Sequence, residues 1–370
     1  MSGTTQRRDE WLPWRDAWQQ ALYGPDGFYR RPEGPAGHFR TASHASPRLL
    51  AAALTGLARA AGCTTIVDMG AGRGELLSAL AALQDTDQLD GDTQLLGVEV
   101  ASRPGSLDQR VGWAGSLADL RGHLSDRSGD GLENTLLIGW ELLDVVPCPV
   151  LEVDAGGVSR EVQVSVDGRE RLGPPARDDD LAWCRQWWPL DDTPAGTRAE
   201  VGLARDRFWA AVVEELASGV ALAVDYGHTR MTRPASGALT GFRDGRQVPP
   251  VPDGSTDITA HVAVDSLVTC LEERIADGAE PSQPRSTLTR PQRDALWALG
   301  VRGRRPDIGL ATSDPMTYVR QLQEASEAAE LRDPAGLGGF SWVLHAVGER
   351  AVTGVDAVFG RSDSTTRCPS

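Results

Sequence analysis

An α/β fold on a doubly wound, mostly parallel sheet is what this sequence predicts, with an N-terminal helix-and-loop segment before it and a β-rich insertion within it. Three observations carry that expectation. Short apolar runs alternate with helix-length stretches from residue 46 onward, as they do when strands are covered by helices on both faces. A turn with three glycines, Asp68-Met69-Gly70-Ala71-Gly72-Arg73-Gly74, stands at the tip of the first run. Glu99 stands at the tip of the second, on the edge where open α/β sheets bind ligands.

Taken in chain order, Trp11, Trp14, Trp18 and Leu22 recur at helical spacing and predict a helix over 9–22 with its aromatic stripe on the core. A Gly/Pro-rich stretch completes an N-terminal cap, 1–45; loops of that length are commonly disordered or functional. Ser46 and Pro47 open an Ala/Leu-rich helix as N-cap and first residue, and it closes near Gly62. Thr64 to Met69 reads as a buried strand, Glu75 to Leu83 as a helix, and Leu95 to Val100 and Leu136 to Gly139 as further strands. These make 46–149 the first part of the core. Over 150–195 the pattern changes: Val162, Val164 and Val166 alternate with polar residues up to Asp167-Gly168, predicting an antiparallel ribbon with a tight turn. Trp183, Trp187 and Trp188 follow it. The core resumes over 196–350 with a helix at 204–217, the strand Val220 to Asp225, a helix from Ala260 to about Ile275 and a last strand, Ser341 to Val347. Residues 351–370 read as a tail, its last ten disordered.

Charge narrows the partners. The 370 residues carry 37 Lys+Arg, every one an Arg, against 52 Asp+Glu, a net charge of −15. That field repels phosphate backbones and anionic lipid headgroups and attracts a basic protein or peptide. A protein substrate with a basic site is therefore expected, with neither nucleic acid nor membrane as partner. The five cysteines are scattered, with no C-x-x-C pair or Cys/His cluster, so neither a disulfide framework nor a metal site is expected. No signal-like segment opens the chain and no apolar run reaches the roughly 18 residues of a membrane span, so it reads as cytoplasmic.

Glycines at 70, 72 and 74 permit a tight turn and close backbone approach to a ligand. A dinucleotide turn wants G-x-G-x-x-G, whereas position 75 here is Glu and the glycines fall at every second residue. With Asp68 two residues ahead, the spacing resembles motif I of class I methyltransferases. A dinucleotide turn and a ligand-free glycine turn are the competing readings. Glu99, in register, offers a carboxylate that can accept from both hydroxyls of a ribose. Gly115, Ser116 and Leu117 fall where that architecture places the adenine. Glu141 and Asp144, after the fourth strand, suit the cofactor's ammonium group and a cationic acceptor. Pro147-Cys148 matches the Pro-Cys nucleophile of cytosine methylation, but the net charge is wrong for DNA.

Further motifs extend the resemblance in order from about residue 23 to 347. They are Tyr23-Gly24 with Gly27-Phe28-Tyr29, Gly37-His38-Phe39-Arg40-Thr41, Glu141-Leu142-Leu143-Asp144, Asp225-Tyr226-Gly227-His228, Gly237-Ala238-Leu239 and Asp257-Ile258-Thr259-Ala260-His261-Val262. Gln292 to Val301 and Phe340 to Leu344 also fit. Together they resemble the MidA-like methyltransferases, which include the mitochondrial complex I assembly factor that methylates an arginine. The resemblance implies a Rossmann-like class I fold and S-adenosyl-L-methionine as cofactor. It implies that Asp68, Gly70, Gly72, Gly74, Glu99, Ser116, Leu117 and Thr41 hold that cofactor. The acceptor then meets Glu141, Asp144, Asp225 and His261, with Asp257 beside them and His261 as candidate general base. This chain departs from the family at His38 and His44, where acidic residues are usual, at Trp140 in place of Asn, and at Ala263 in place of Asp. These departures and the Trp-rich insertion motivate an alternative, a catalytically inactive cofactor-binding member acting as an assembly or interaction protein.

Overall fold

The computed structural model describes residues 10–31, 46–124, 131–277 and 283–360. Thr41, His38, His44 and the last ten residues lie outside them. The chain forms two compact units. One, the core unit, comprises Thr41–Trp140, Val213–Val224 and Gly278–Ser370; the other, the ribbon unit, comprises Met1–Arg40, Glu141–Val212 and Asp225–Asp277.

Seven strands make the sheet of the core unit: β1 (Thr65–Met69), β2 (Gln94–Val98), β3 (Val111–Ala114), β4 (Thr135–Trp140), β5 (Gly219–Asp225), β6 (Arg285–Pro291) and β7 (Ser341–Val347). Their order is β6-β7-β5-β4-β1-β2-β3. The chain therefore runs outward from β1 to β3, then crosses to β4 on the other side of β1. The pairings β5–β4, β4–β1, β1–β2 and β2–β3 are parallel, while β6 is antiparallel to β7. The sheet is thus mixed, with the expected parallel part at its centre. Every residue of β1, β4 and β5 is buried, which is why each reads as a near-continuous apolar run. Strand β6 gave no such run because it buries only Leu288.

The helix Pro47–Ala61 starts on Pro47 and stops at Gly62, whose φ of 72° is left-handed. Ser46 does not cap it through its side chain; its hydroxyl donates instead to Glu327 Oε2 at 2.8 Å. Leu50, Leu54 and Leu57 pack with Leu76, Leu77 and Leu80 of the helix Glu75–Gln84, all essentially inaccessible. Each such leucine contributes about 1.5–3 kcal/mol. Residues 351–359, expected in a tail, belong instead to the helix Glu349–Phe359. A Cβ on Gly354 would lie 2.1 Å from the carbonyl oxygen of Ala60, so glycine is what lets this helix reach the end of Pro47–Ala61.

In the ribbon unit an antiparallel sheet runs Leu12–Pro13, Ser159–Val164, Val150–Val153, Arg198–Glu200, with Glu170–Pro175 also paired to Ser159–Val164. The expected hairpin is there: Val162 and Val164 are buried, and Gly168 turns with φ 81°. The first helix is Trp14–Tyr23, shorter than its aromatic spacing suggests. Trp11 precedes it and lies under the guanidinium of Arg171, 4.6 Å from the ring centroid. Trp183 and Trp188 are buried around Leu151, Val153 and Val201, so the Trp-rich patch is core. Helix Val264–Asp277 begins later than expected. The β-branched stretch before it forms short strands, Asp257–Thr259 and Val262–Ala263, the first of them paired to Thr240–Arg243.

Candidate active site

The glycine turn of the core unit is held against the tip of β2. The amides of Gly70 and Ala71 donate to the Val98 carbonyl at 2.9 and 3.3 Å, and that of Gly74 to Ala71 at 2.7 Å. Gly70, Gly72 and Gly74 have φ of 73°, 57° and 77°, all in the region that a Cβ disfavours. A Cβ on Gly74 would meet Leu107 at 2.7 Å, whereas one on Gly72 would find nothing among the described residues nearer than Glu75 Oε2 at 3.7 Å. Among the described residues the space beside Gly72 is open.

Glu99 braces this turn. Its Oε2 accepts the Gly72 amide at 3.0 Å and its Oε1 the Ala101 amide at 3.2 Å. Asp68 is buried at the end of β1, and burial, with the charges of Glu99 and Glu75 beside it, pushes its carboxyl up to about 8. Ser116 caps the helix Leu117–Leu124: its hydroxyl donates to Asp119 Oδ2 at 2.7 Å and accepts the Asp119 amide at 3.1 Å. Leu117, half-buried, begins that helix.

The other predicted residues gather in the ribbon unit. Asp225 Oδ2 accepts the amides of Leu143 and Asp144 at 2.9 and 3.1 Å, and its Oδ1 that of Tyr226 at 3.0 Å. The Tyr226 hydroxyl donates to Asp144 Oδ2 in a short hydrogen bond. The other oxygen of Asp144 is buried and has no hydrogen-bond partner among the described residues. Asp257 Oδ1 accepts the Tyr29 hydroxyl at 2.9 Å, and Tyr29 stacks on Tyr23 with centroids 5.5 Å apart. Burial raises all three aspartates from their ordinary value, Asp225 well above it and Asp257 to about 8. The charge of Asp144 adds to the rise at each of the other two. Glu141 has φ 49°, a strained value for a residue with a side chain.

His261 is exposed between the two short strands rather than at a helix start, and its ring meets that of Tyr226 edge-on at 5.1 Å. Partial burial and the Arg205 charge hold its pKa below the usual imidazole value. His228 is buried against Trp188, in contact with Arg233, and burial lowers it to about 3. Cys148 is wholly buried, its thiol raised to about 11, which disposes of a cysteine nucleophile. Sequence reasoning missed Arg205, whose guanidinium bonds the loops carrying Asp144 and His261; one arginine among 37 basic residues gave no signal. Tyr29 was visible only as part of a motif. Among the described residues no group of His, Cys, Asp or Glu could hold a metal ion, and no helix is long and apolar enough to cross a membrane.

Residues 48–279 match the model of a family described as "Putative S-adenosyl-L-methionine-dependent methyltransferase". The chain belongs to that family. Its cofactor is accordingly S-adenosyl-L-methionine. Two crystal structures from Burkholderia thailandensis are similar at 23% identity and a TM-score of 0.67. One holds S-adenosyl-homocysteine, with 91% of this chain and 88% of that one covered; the other is a native structure, with 92% and 90% covered. At that identity the likeness shows the fold, a mixed sheet with helices. No curated protein matches the chain significantly.

The residues of the glycine turn fit the cofactor. A ribose diol needs acceptors, and the Glu99 carboxylate, which takes the amides of Gly72 and Ala101, is an acceptor-only group at the tip of β2. An ammonium and a sulfonium are cations, and Asp68, Glu75 and Glu99 form an acidic group whose mutual repulsion a cation relieves. The open space at Gly72 admits a ligand against bare backbone.

Proposed function

We propose that this chain methylates a basic side chain, arginine, on a protein substrate, as the MidA-like resemblance implies. The observation that carries this reading is Asp144, buried, with one oxygen held by Tyr226 and the other lacking a partner among the described residues. An unsatisfied buried carboxylate oxygen is costly, and a guanidinium N–H is its natural complement. Three buried aspartates set against one buried arginine further favour a cation.

The cofactor supplies an electrophilic methyl carbon; the chain must align the acceptor and manage its proton. Asp144 would orient the guanidinium through its unpartnered oxygen. Its raised pKa also makes it a better proton acceptor than an exposed carboxylate as the acceptor nitrogen becomes a nucleophile. Asp225 fixes the Leu143–Asp144 backbone, and Glu141 borders the same loop. His261, exposed and below its usual pKa, is neutral at pH 7 and suited to pass the proton to water.

Cell-extract protein incubated with the full chain and methyl-labelled S-adenosyl-L-methionine tests this. Label should appear on arginine by mass spectrometry and be lost with D144N at unchanged cofactor affinity. Label on another residue type refutes the acceptor, and none at all leaves a cofactor-binding protein without this activity.

A further inference from the structure

We infer that Arg205 is the positioning residue of the acceptor site, holding the loop of Asp144 and the loop of His261 in one register. This rests on the function proposed above only in taking those two loops as the acceptor's surroundings. Arg205 is 1% exposed, and its guanidinium makes no ion pair with a carboxylate among the described residues. Four hydrogen bonds go to backbone carbonyls instead. Nε donates to Val146 at 3.0 Å and one terminal nitrogen to Asp144 at 2.8 Å. The other terminal nitrogen donates to Ala260 at 2.9 Å and His261 at 3.0 Å. Trp18 closes one face, its ring centroid 5.4 Å from the guanidinium carbon.

The chemistry makes arginine specific here. A guanidinium has five donors in a rigid plane, so one side chain can span two carbonyl clusters that lie more than 100 residues apart in sequence. Lysine keeps the charge but carries three donors on a single atom and cannot reproduce the fork. The direct loop-to-loop hydrogen bond, Ala260 amide to Asp144 carbonyl at 3.1 Å, shares its acceptor with Arg205. That bond needs no fork, so Arg205 adds orientation to a contact that already exists. Its charge reaches the same groups, lowering both Asp144 and His261.

The full chain carrying R205K or R205Q tests this, with S-adenosyl-L-methionine in calorimetry and its methyl-labelled form with extract protein. R205K should cut label transfer at least tenfold through kcat, with cofactor affinity within twofold of wild type, because a small misplacement of reacting groups is expensive. The His261 imidazole, followed by NMR, should titrate higher in R205Q and unchanged in R205K. Transfer within twofold of wild type in R205K overturns the assignment. Hydrogen exchange on the unaltered chain keeps it falsifiable should the variants not fold. Amides 143–146 and 258–262 should open together with equal protection, and independent opening overturns the assignment. A wild-type chain that labels nothing defeats the proposed activity, while the titration and exchange measurements still decide Arg205.

Discussion

Asp225 accepts the backbone amide of Leu143 at 2.9 Å across 82 residues of chain, and with the same oxygen it accepts the amide of Asp144. It anchors the loop that carries Asp144, the carboxylate proposed to meet the acceptor, so D225N is an informative change. Asparagine keeps one acceptor oxygen but turns an NH2 group toward a backbone N–H. Two donors then face each other in a buried place, costing about 1–3 kcal/mol. Urea denaturation should show that loss. Methyl transfer should fall by about tenfold or more while cofactor affinity holds, and an unchanged rate would remove the anchoring role.

Gly72 separates backbone strain from ligand space. Its φ of 57° penalises any Cβ by about 1–2 kcal/mol, yet a methyl there meets nothing among the described residues closer than 3.7 Å. G72A should therefore lower stability modestly and still bind S-adenosyl-L-methionine. G72R fills the space beside the turn and should abolish binding in calorimetry while the chain stays folded. Equal affinity for G72R and wild type would show that the cofactor lies elsewhere.

Asp68, raised to about 8 by burial and by Glu99 and Glu75, is mostly protonated at pH 7. A cationic ligand beside it favours the carboxylate and lowers its pKa, so binding releases a proton. Affinity for S-adenosyl-L-methionine should rise with pH between 7 and about 8 and level off above. Calorimetry in buffers of different ionisation enthalpy should register proton release near one per site at pH 7. E99Q removes the largest charge repulsion on Asp68, so it should shrink that release and weaken binding together. No proton exchange at pH 7 would mean that Asp68 does not face the cationic end of the cofactor.

The core unit was legible because its signals are local. Strands β1, β4 and β5 are apolar runs, and the turn between β1 and its helix must be glycine to hold three positive φ values. Strand β6 was not, since Arg285-Ser286-Thr287 reads as loop until β7 supplies the partner. The helix expected from Ala260 begins only at Val264, because Val262–Ala263 pairs with Gly227–His228 and overrides local preference. At the candidate site the carboxylates could be named from their strand-end positions. Their division of labour could not. Asp225 proves to bind backbone amides, whereas Asp144 keeps one oxygen unsatisfied among the described residues, and only the paths of loops distant in sequence decide which is which.

Stability against pH carries two opposed slopes, each with an identifiable residue. His228 and His345 are buried, and burial depresses them to about 3 and about 4, with neighbouring arginines adding to it. Below the unfolded value near 6.5 the unfolded chain binds protons that the folded chain refuses. Their contribution is therefore complete above pH 6.5 and is lost as pH falls toward 3–4. Asp257 behaves oppositely: raised to about 8, it is protonated when folded, so the stability it lends is complete below 3.8 and is lost as pH rises through 8. H228Q should flatten the acid limb of stability against pH, with gains on the order of a few kcal/mol near pH 4. D257N keeps an acceptor for the Tyr29 hydroxyl and should flatten the alkaline limb instead. Urea midpoints at pH 4, 6 and 8.5 distinguish the two variants. Parallel curves for wild type and both would mean that neither group is held in the protonation state its burial dictates.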